Sequence, residues 1–480
     1  MRSDDDAGSM IARRMRSRRS HLGAPLLLAI AAFGVASGCG ENAPSRVAAR
    51  VLERYRKITG SKPLTASGMI RLRLTRERDA AVTGRDEILW ASGQYREAVS
   101  SAGMTVVHGI QSGRAYFIDQ DGVARVVSDP VLRELRTRSY FWRRAWLFRD
   151  LEGAWLEIGP ADAATVSLDL TPEGGNPLRL TFSRSDGRLL SARAPRFDLE
   201  FTSGAAFRDV SDPAAPVAAE VSWMGLPTGP LPQASAGGSR ARFEASDGVS
   251  LERRAGSIIV PAILSGRTIR LAIDGAEDGP VAVSASLAAS LATRWTPDIS
   301  GRFVAPGATL EVSGATWPSL WIQRADAVPA GADAVAGGCL FREAVIELDL
   351  GASRLRLHDP TGFAPPEGYF RVAIDDDGDR PVAVLNRGKK DLRLTAASDT
   401  GEAALLLARE SARRVGYEGA AARGLAWGAV VLPELPIAIS SHGFFPSWGD
   451  DGRLGFPMLS RFHAFVDMPQ RWIYLQAEEK

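Results

Sequence analysis

The sequence predicts a mainly β protein in two parts. The first is an N-terminal β-meander, a curved sheet with a leading helix, and the second is a two-lobed β half. Three observations support this prediction. Apolar and polar residues alternate over much of 68–223, a Pro-, Gly- and Ser-rich segment covers 226–240, and residues 255–480 contain an internal repeat. Alternation with a period of two is typical of strands with one buried face, and a long repeat indicates duplicated structural units.

Residues 1–38 have the organisation of an export signal. An Arg-rich stretch at 13–19 precedes an apolar run at 22–35, and small residues then lead to Cys39. This order is typical of secretory signals, and the apolar run is short for a membrane-spanning helix. Small residues directly before a cysteine resemble the lipobox of bacterial lipoproteins. The resemblance implies that Cys39 is lipidated and that 39–45 form a tether, whereas in an ordinary cleaved signal Cys39 would be incidental.

Charge argues against nucleic acid as a partner. The chain has 58 basic and 56 acidic residues; six Arg and three Asp lie in 1–38, so the remainder has 52 and 53, a net charge of −1. No basic surface for phosphate backbones is therefore expected. Two cysteines and five widely spaced histidines offer no metal-ligand spacing, so we expect neither a metal nor a cofactor.

Residues 46–225 are predicted to form the first domain. Apolar residues between 47 and 58 fall on one helical face and Gly60 can end that helix, after which strand-like segments are separated by turns such as Asp121-Gly122 and Asp186-Gly187. An aromatic-rich stretch at 140–148 suggests a helix packed over the sheet. This layout resembles the curved sheets of lipoprotein-carrier folds. Four tryptophans of the domain either line an apolar groove for acyl chains or fill the core of the sheet: Trp90, Trp142, Trp146 and Trp155.

The repeat divides the second half into lobes at 241–360 and 361–480. Residues 333–357 match 451–475 at a constant offset of 118, each copy running from an Asp-x-x-x-Gly turn through an apolar segment to a closing strand. Upstream in each copy, an apolar strand leads to an Asp and then to an apolar, Ala-rich helix. These aspartates are Asp274, before a helix predicted at 281–291, and Asp399, before one predicted at 403–415.

These motifs resemble the retropepsin/pepsin superfamily of aspartic proteases over about half of the chain. Asp399-Thr400-Gly401 matches the family's catalytic triplet, and Gly455 matches the later glycine turn that closes each lobe. The resemblance implies a catalytic pair formed by Asp274 and Asp399, with Thr400, Gly401 and Gly455 as supporting residues. Two carboxylates within hydrogen-bond distance share one proton, and such a pair activates a water molecule for attack on a peptide carbonyl.

The first lobe departs from the family motif. Gly275 replaces the threonine that follows the catalytic aspartate, and Ala276 replaces the glycine. A shift of register to Asp278-Gly279 is an alternative, but it places the carboxylate close to the following helix. The two halves therefore leave three functions open. They are an aspartic peptidase with an unusual pair, a non-catalytic binding scaffold, and an envelope lipoprotein that binds lipid through its first domain.

The expected partners and location follow from the same features. A peptide or protein would occupy the cleft between the lobes, and the membrane would be reached through the lipid on Cys39. We accordingly expect a bacterial cell-envelope protein that faces the periplasm or the outer surface. Cys339 is expected to be a buried structural residue, not a nucleophile.

Overall fold

The computed structural model describes residues 43–64, 67–91, 93–127, 129–195, 197–203, 206–211, 216–224, 240–254, 256–277, 279–377, 380–397, 400, 403–417, 419–440 and 451–477. The export signal, Cys39, most of the linker, Asp399 and Gly401 lie outside the described residues. The predicted mainly β fold is confirmed.

A single antiparallel sheet organises the N-terminal half. Its thirteen strands in the described ranges are β1 Gly68–Arg76, β2 Asp79–Ala91, β3 Gln94–Ser101, β4 Met104–Gln111, β5 Arg114–Ile118, β6 Ala124–Val126, β7 Trp155–Ala161, β8 Thr165–Thr171, β9 Leu178–Ser183, β10 Leu189–Ala194, β11 Phe197–Ser203, β12 Ala206–Asp209 and β13 Val217–Met224. Consecutive strands are neighbours, except that β1 pairs with β13, so β6 and β7 form the two edges. The predicted turns lie between β5 and β6 and between β9 and β10, where Gly122 and Gly187 adopt φ values of 79° and 70°.

The leading helix, α1 (Ala43–Thr59), covers one face of this sheet. Its buried face consists of Ala48, Leu52 and Tyr55, and Gly60 follows it with a φ of 64°. The predicted helix is confirmed, but the apolar residues at its two ends, Val47 and Ile58, are exposed. Spacing of three and four residues selects the positions that reach the sheet, and apolar character alone does not.

The helix suggested over 140–148 lies mostly earlier in the chain. Helix α2 (Asp129–Trp142) precedes two short 3-10 helices at Ala145–Leu147 and Leu151–Gly153. Asp129 and Pro130 at its start suit a helix N-terminus. A negative side chain there interacts favourably with the positive end of the helix dipole, and proline has no backbone N–H that would be left without an acceptor in the first turn. Only the end of α2 therefore overlaps the predicted segment.

The second half contains two further mixed sheets. Their strands are β14 Arg242–Phe243, β15 Val249–Ser250, β16 Glu252–Arg254, β17 Ser257–Leu264, β18 Arg267–Ile273, β19 Val281–Val283, β20 Thr296–Pro297, β21 Phe303–Val312, β22 Ala315–Arg324, β23 Ala334–Ala336, β24 Val345–Asp349, β25 Arg354–His358, β26 Phe370–Asp377, β27 Arg380–Arg387, β28 Lys390–Ala397, β29 Leu405–Ala408, β30 Ala421–Ala422, β31 Ala426–Trp427, β32 Val430–Val431, β33 Leu435–Ser440, β34 Gly452–Gly455, β35 Phe462–Asp467 and β36 Trp472–Ala477. The helices are α3 Ala285–Ser290, α4 Gly338–Glu343, α5 Arg409–Val415 and α6 Phe456–Leu459.

The repeat is visible as equivalent strands and hydrogen bonds. In each lobe a parallel pair, β18 with β23 and β28 with β34, leads to a short helix and a two-stranded hairpin. Strand β24 of the first copy pairs with β35 of the second, which joins the lobes through one sheet. The predicted helices at 281–291 and 403–415 both begin with a short strand, β19 or β29. These residues are held in the sheet by neighbours on both sides, and this pairing overrides their local helical pattern.

A hairpin turn of the N-terminal sheet packs against the first lobe. Asp119 and Asp121 are buried there beside the Arg342 guanidinium, at 3.0 and 3.7 Å. The Asp121 carboxylate also accepts the backbone N–H of Trp321 at 2.9 Å. Among the described residues, no helix is long and apolar enough to cross a membrane.

Candidate functional site

Asp274 lies directly after β18 and is half-buried. Its Oδ1 accepts the backbone N–H of Ala276 at 2.9 Å, and its own N–H donates to the carbonyl of Ala336 at 3.0 Å. These bonds hold the loop closed at the end of the strand. Asp399 and Gly401 lie outside the described residues, so the pairing of Asp399 with Asp274 and the supporting role of Gly401 stay predictions.

The two glycine turns close their lobes by the same close packing. A Cβ atom on Gly337 would overlap the carbonyl oxygens of Asp274 and Glu277, and one on Gly455 would overlap the Thr400 side chain and the Ala403 carbonyl. Only glycine permits this approach of backbone to loop. Thr400 is buried against Gly455, so these two supporting residues are in contact.

Equivalent hydrogen bonds define the register of the repeat. The backbone N–H of Arg270 donates to Asp333 Oδ2 at 2.9 Å, and that of Arg393 donates to Asp451 Oδ2 at the same distance. Arg270 and Arg393 are therefore equivalent, which is a shift of 123 positions along β18 and β28. This shift makes Ala397 the structural counterpart of Asp274, two residues before Asp399.

The strands that follow each loop, β19 and β29, give a second measure of the shift between the two copies. Val283 pairs with Ala334 and Leu407 pairs with Gly452, which is a shift of 124 positions. The shift is thus 123 in the strand before each loop and 124 in the strand after it, so the two loops differ in length by one residue. The motif match of Asp274 with Asp399 used a shift of 125, which the backbone register of the described strands does not follow.

Gly275 brings the first-lobe loop against the second lobe. A Cβ atom at this position would lie 2.8 Å from the carbonyl oxygen of Ala396 and 3.0 Å from Cγ of Pro381. A threonine would meet backbone here, so the bracing side chain of the family motif is absent and has no room in this arrangement. Nearby, the Glu277 carboxylate accepts a hydrogen bond from the Gln323 amide at 2.9 Å, a contact that sequence reasoning missed.

The N-terminal half contains a cavity of about 740 Å³ between α1, the end of α2 and the sheet. Most of its wall is apolar or aromatic, formed by Tyr55, Ile58, Phe141, Trp142, Trp146, Leu189, Leu190, Phe201 and Val221. The aromatic rings support one another; Tyr55 and Trp146 have centroids 5.1 Å apart. A concave, mostly apolar wall of this size is typical of a small-molecule site.

Arg144 adds a cation to this wall. It has a left-handed backbone, with a φ of 53°, and burial lowers the pKa of its guanidinium. Arg188, Thr202 and Ser203 also line the cavity. The cavity therefore combines apolar surface with a few polar groups that can orient a ligand.

The four tryptophans of the first domain have different roles. Trp90 and Trp146 are each 2% exposed and belong to the core, and Trp146 also forms part of the cavity wall; Trp142 is half-buried and lines the cavity. Trp155 is 69% exposed on the edge strand β7. The sequence left two roles open for these tryptophans, filling the core and lining a groove. Both roles occur among them, and Trp155 has neither.

Two distant histidines meet on one carboxylate. Nε2 of His358 lies 2.7 Å from one oxygen of Glu347, and Nε2 of His463 lies 3.0 Å from the other. The Tyr369 hydroxyl is 2.8 Å from Nδ1 of His463. Burial raises the pKa of Glu347, but the hydrogen bond from His358 and the Arg356 charge outweigh it, so the pKa is lowered. No sequence motif indicated this cluster, because its members come from three separate strand regions.

Cys339 is 1% exposed, and burial raises the pKa of its thiol to about 12. A thiol in this environment is a poor nucleophile. Within the described ranges, no three His, Cys, Asp or Glu side chains are grouped so as to hold a metal ion.

Comparisons with known proteins show only weak likenesses. No family model and no curated protein matches the chain. Among solved structures, an aspartic proteinase from Irpex lacteus is similar at a TM-score of 0.29 and 12% identity, covering 49% of this chain and 98% of its own.

Two MucB structures are similar at lower scores. The MucA/MucB complex of Pseudomonas aeruginosa has a TM-score of 0.17 at 14% identity, covering 57% of this chain and 92% of the other. MucB alone has a TM-score of 0.15 at 14% identity, covering 60% and 98%. Scores this low indicate a weak likeness of fold and nothing about activity.

Proposed function

We propose that this protein binds an apolar or amphiphilic ligand, such as an acyl chain, through its N-terminal half. The cavity of about 740 Å³ carries this proposal. It lies within the range of about 300–1,000 Å³ that ligand pockets occupy, and burial of apolar ligand surface there is favourable. We further propose that the double-lobed half is a non-catalytic scaffold. The register of the described strands supports this, because Ala397 holds the position in the second lobe that Asp274 holds in the first.

The cavity wall fits an elongated ligand with one polar end. Phe141 and Trp142 pack edge to face at 4.9 Å and belong to the helical wall, while Phe201 of β11 belongs to the sheet. Rings on both sides provide contact for an aliphatic chain. Arg144 supplies a charge that favours a carboxylate or a similar head group.

Displacement of a fluorescent fatty acid tests this proposal. The full chain in detergent should bind cis-parinaric acid, and palmitate should displace it. Leu190→Glu, which places a charge on the cavity wall, should weaken binding by about tenfold or more. Val431→Glu, at a position that is 78% exposed in the second lobe, is the matched control and should bind as the unaltered chain does. Equal binding by Leu190→Glu, with its far-UV circular dichroism preserved, would refute the cavity as the site.

A second candidate function is peptide-bond hydrolysis by Asp274 and Asp399. One observation supports it: Thr400, next to Asp399 in sequence, is buried and packs against Gly455, so two of the supporting residues are in contact. In this candidate a peptide occupies the cleft between the lobes, the ionised carboxylate of the pair takes a proton from water as the water attacks the peptide carbonyl, and the protonated carboxyl donates a proton to the leaving amine. Incubation with a mixed peptide library from acidic to neutral pH would test it. Cleavage that disappears in both Asp274→Asn and Asp399→Asn would support a peptidase, and no cleavage by the folded chain would support the scaffold.

We also propose that the chain is anchored to the bacterial envelope by a lipid on Cys39. The small residues before Cys39 support this proposal, and the residues between Cys39 and α1, fewer than the tether predicted at 39–45 because α1 begins at Ala43, would hold the folded part near the membrane. Metabolic labelling with an alkyne fatty acid should modify the chain and leave Cys39→Ser unlabelled. Equal labelling of the variant would contradict the anchor.

A further inference from the structure

Trp155 is an exposed aromatic residue at the edge of the N-terminal sheet. Along β7, Leu156 and Ile158 pack against the hydrophobic core, so Trp155 and Glu157 point to the opposite, outer face. The indole N–H donates to Glu157 Oε1 at 3.2 Å, which orients the ring. A shallow cavity of about 420 Å³ lies over this surface.

A row of charged residues continues from Glu157 across the sheet. The strand register places Glu157 opposite Asp169, Asp169 opposite Arg179, Arg179 opposite Arg193, and Arg193 opposite Asp198. Successive strands are about 4.8 Å apart, so four intervals extend about 19 Å. Trp155 and this row of five residues are called the Trp155 face.

Ion pairs hold the polar groups of the Trp155 face in place. Arg179 binds Asp169 with two hydrogen bonds, of 2.7 and 2.8 Å, and Nε of Arg193 donates to Asp198 at 2.8 Å. Each carboxylate and guanidinium can form further hydrogen bonds beyond these. Gly159 lies beside the Asp169 carboxylate. A Cβ atom on Gly159 would lie 3.0 Å from both oxygens of Asp169, so glycine at this position leaves the carboxylate accessible.

The balance of charge indicates the class of ligand. Along the row, two carboxylates are followed by two guanidiniums and then by a third carboxylate. The face therefore offers both hydrogen-bond donors and acceptors, and its positive and negative charges nearly balance. The three carboxylates would repel a phosphate or a polyanion, and the two arginines would repel a polycation. Neutral hydroxyl groups suit both, and the apolar face of a sugar ring suits the exposed indole.

We propose that the Trp155 face binds a neutral oligosaccharide. One sugar ring stacks on the indole of Trp155, and the hydroxyls of the following units hydrogen-bond along the row from Glu157 to Arg193. This proposal does not depend on the apolar cavity, whose wall is formed by other residues. A protein strand that pairs with the open edge of β7 is the competing occupant, and the experiment separates the two.

Fluorine NMR on the full chain labelled with 5-fluorotryptophan tests the proposal. Trp155→Phe identifies the Trp155 signal, and the probes are cellotetraose, tetra-N-acetylchitotetraose and maltotetraose at millimolar concentration. At least one sugar should shift this signal along a saturating curve. Arg179→Ala should weaken that binding by about tenfold, whereas Phe370→Ala, at a position 60% exposed in the second lobe, should not change it.

Two results would overturn the proposal. One is the absence of any shift of the Trp155 signal with all three sugars, while the other tryptophan signals show a folded chain. The other is a stronger, salt-sensitive shift with heparin than with the neutral sugars, which would indicate charge attraction instead of sugar recognition. If the first result is accompanied by broadening of the signal that depends on protein concentration, the face is assigned to a protein contact.

Discussion

Asp121 should make this protein more stable in mild acid than at neutral pH. Its carboxylate is 4% exposed and faces Asp119, Arg342 and Arg240, and burial raises its pKa to about 6 from the usual 3.8. A carboxyl whose pKa is raised on folding binds its proton more tightly in the folded state. Its contribution to stability is therefore greatest when it is protonated, and is lost as pH rises from about 4 to above 6.

The magnitude follows from the shift. A difference of about two pKa units corresponds to about 3 kcal/mol, since each unit is worth about 1.4 kcal/mol. Asp121→Asn keeps an oxygen that can accept the N–H of Trp321 but carries no charge, so it imitates the protonated carboxyl. We expect the variant to match the unaltered chain near pH 4 and to exceed its free energy of unfolding by up to about 3 kcal/mol above pH 7.

Urea unfolding at several pH values, followed by circular dichroism, measures this difference. Asp247→Asn, at an exposed position, is the matched control and should show no such trend. The reasoning would be refuted if Asp121→Asn were less stable than the unaltered chain above pH 7. A stability difference that does not change between about pH 4 and pH 8 would refute it equally.

Three further changes test the packing of the second half. Arg342→Met should lower the free energy of unfolding by about 3–5 kcal/mol, measured in urea, because the buried Asp119 and Asp121 both lose the Arg342 guanidinium. Gly455→Ala should cost about 1–3 kcal/mol in the same assay through overlap with the neighbouring loop, while Gly419→Ala, which meets no atom within 4 Å, should be neutral; equal effects would contradict the packing argument. Glu347→Gln should lower the melting temperature at neutral pH, and the loss should disappear as pH falls through the lowered pKa of Glu347, because its contribution exists only while it is ionised. An unchanged melting temperature at neutral pH would contradict this role.

Local patterns predicted much of the architecture. The alternation along β1 and β9, the helix ended by Gly60 and the turns at Gly122 and Gly187 all arise from residues close in sequence, whose side-chain directions the backbone determines. The repeat between 333–357 and 451–475 was equally visible, since duplicated units keep their order of strands, helix and turn.

The candidate site was less predictable. Motif matching paired Asp274 with Asp399, and this pairing stays a prediction; in the described strands, Ala397 is the equivalent of Asp274. A motif records only the residue order, whereas the register depends on which backbone groups pair across the sheet. The register gives a shift of 123 before each loop and 124 after it, whereas the motif match uses 125.

The sequence by itself determined the class of fold, the repeat, the predicted export signal and the general positions of strands and turns. Only the tertiary structure decided that Trp146 is buried while Trp155 is exposed, and that His358 and His463 meet at Glu347. The physical reason is the range of the interactions. Strand alternation and turns follow from neighbouring residues, whereas burial and contacts between distant residues depend on how the strands are ordered and paired within the sheets.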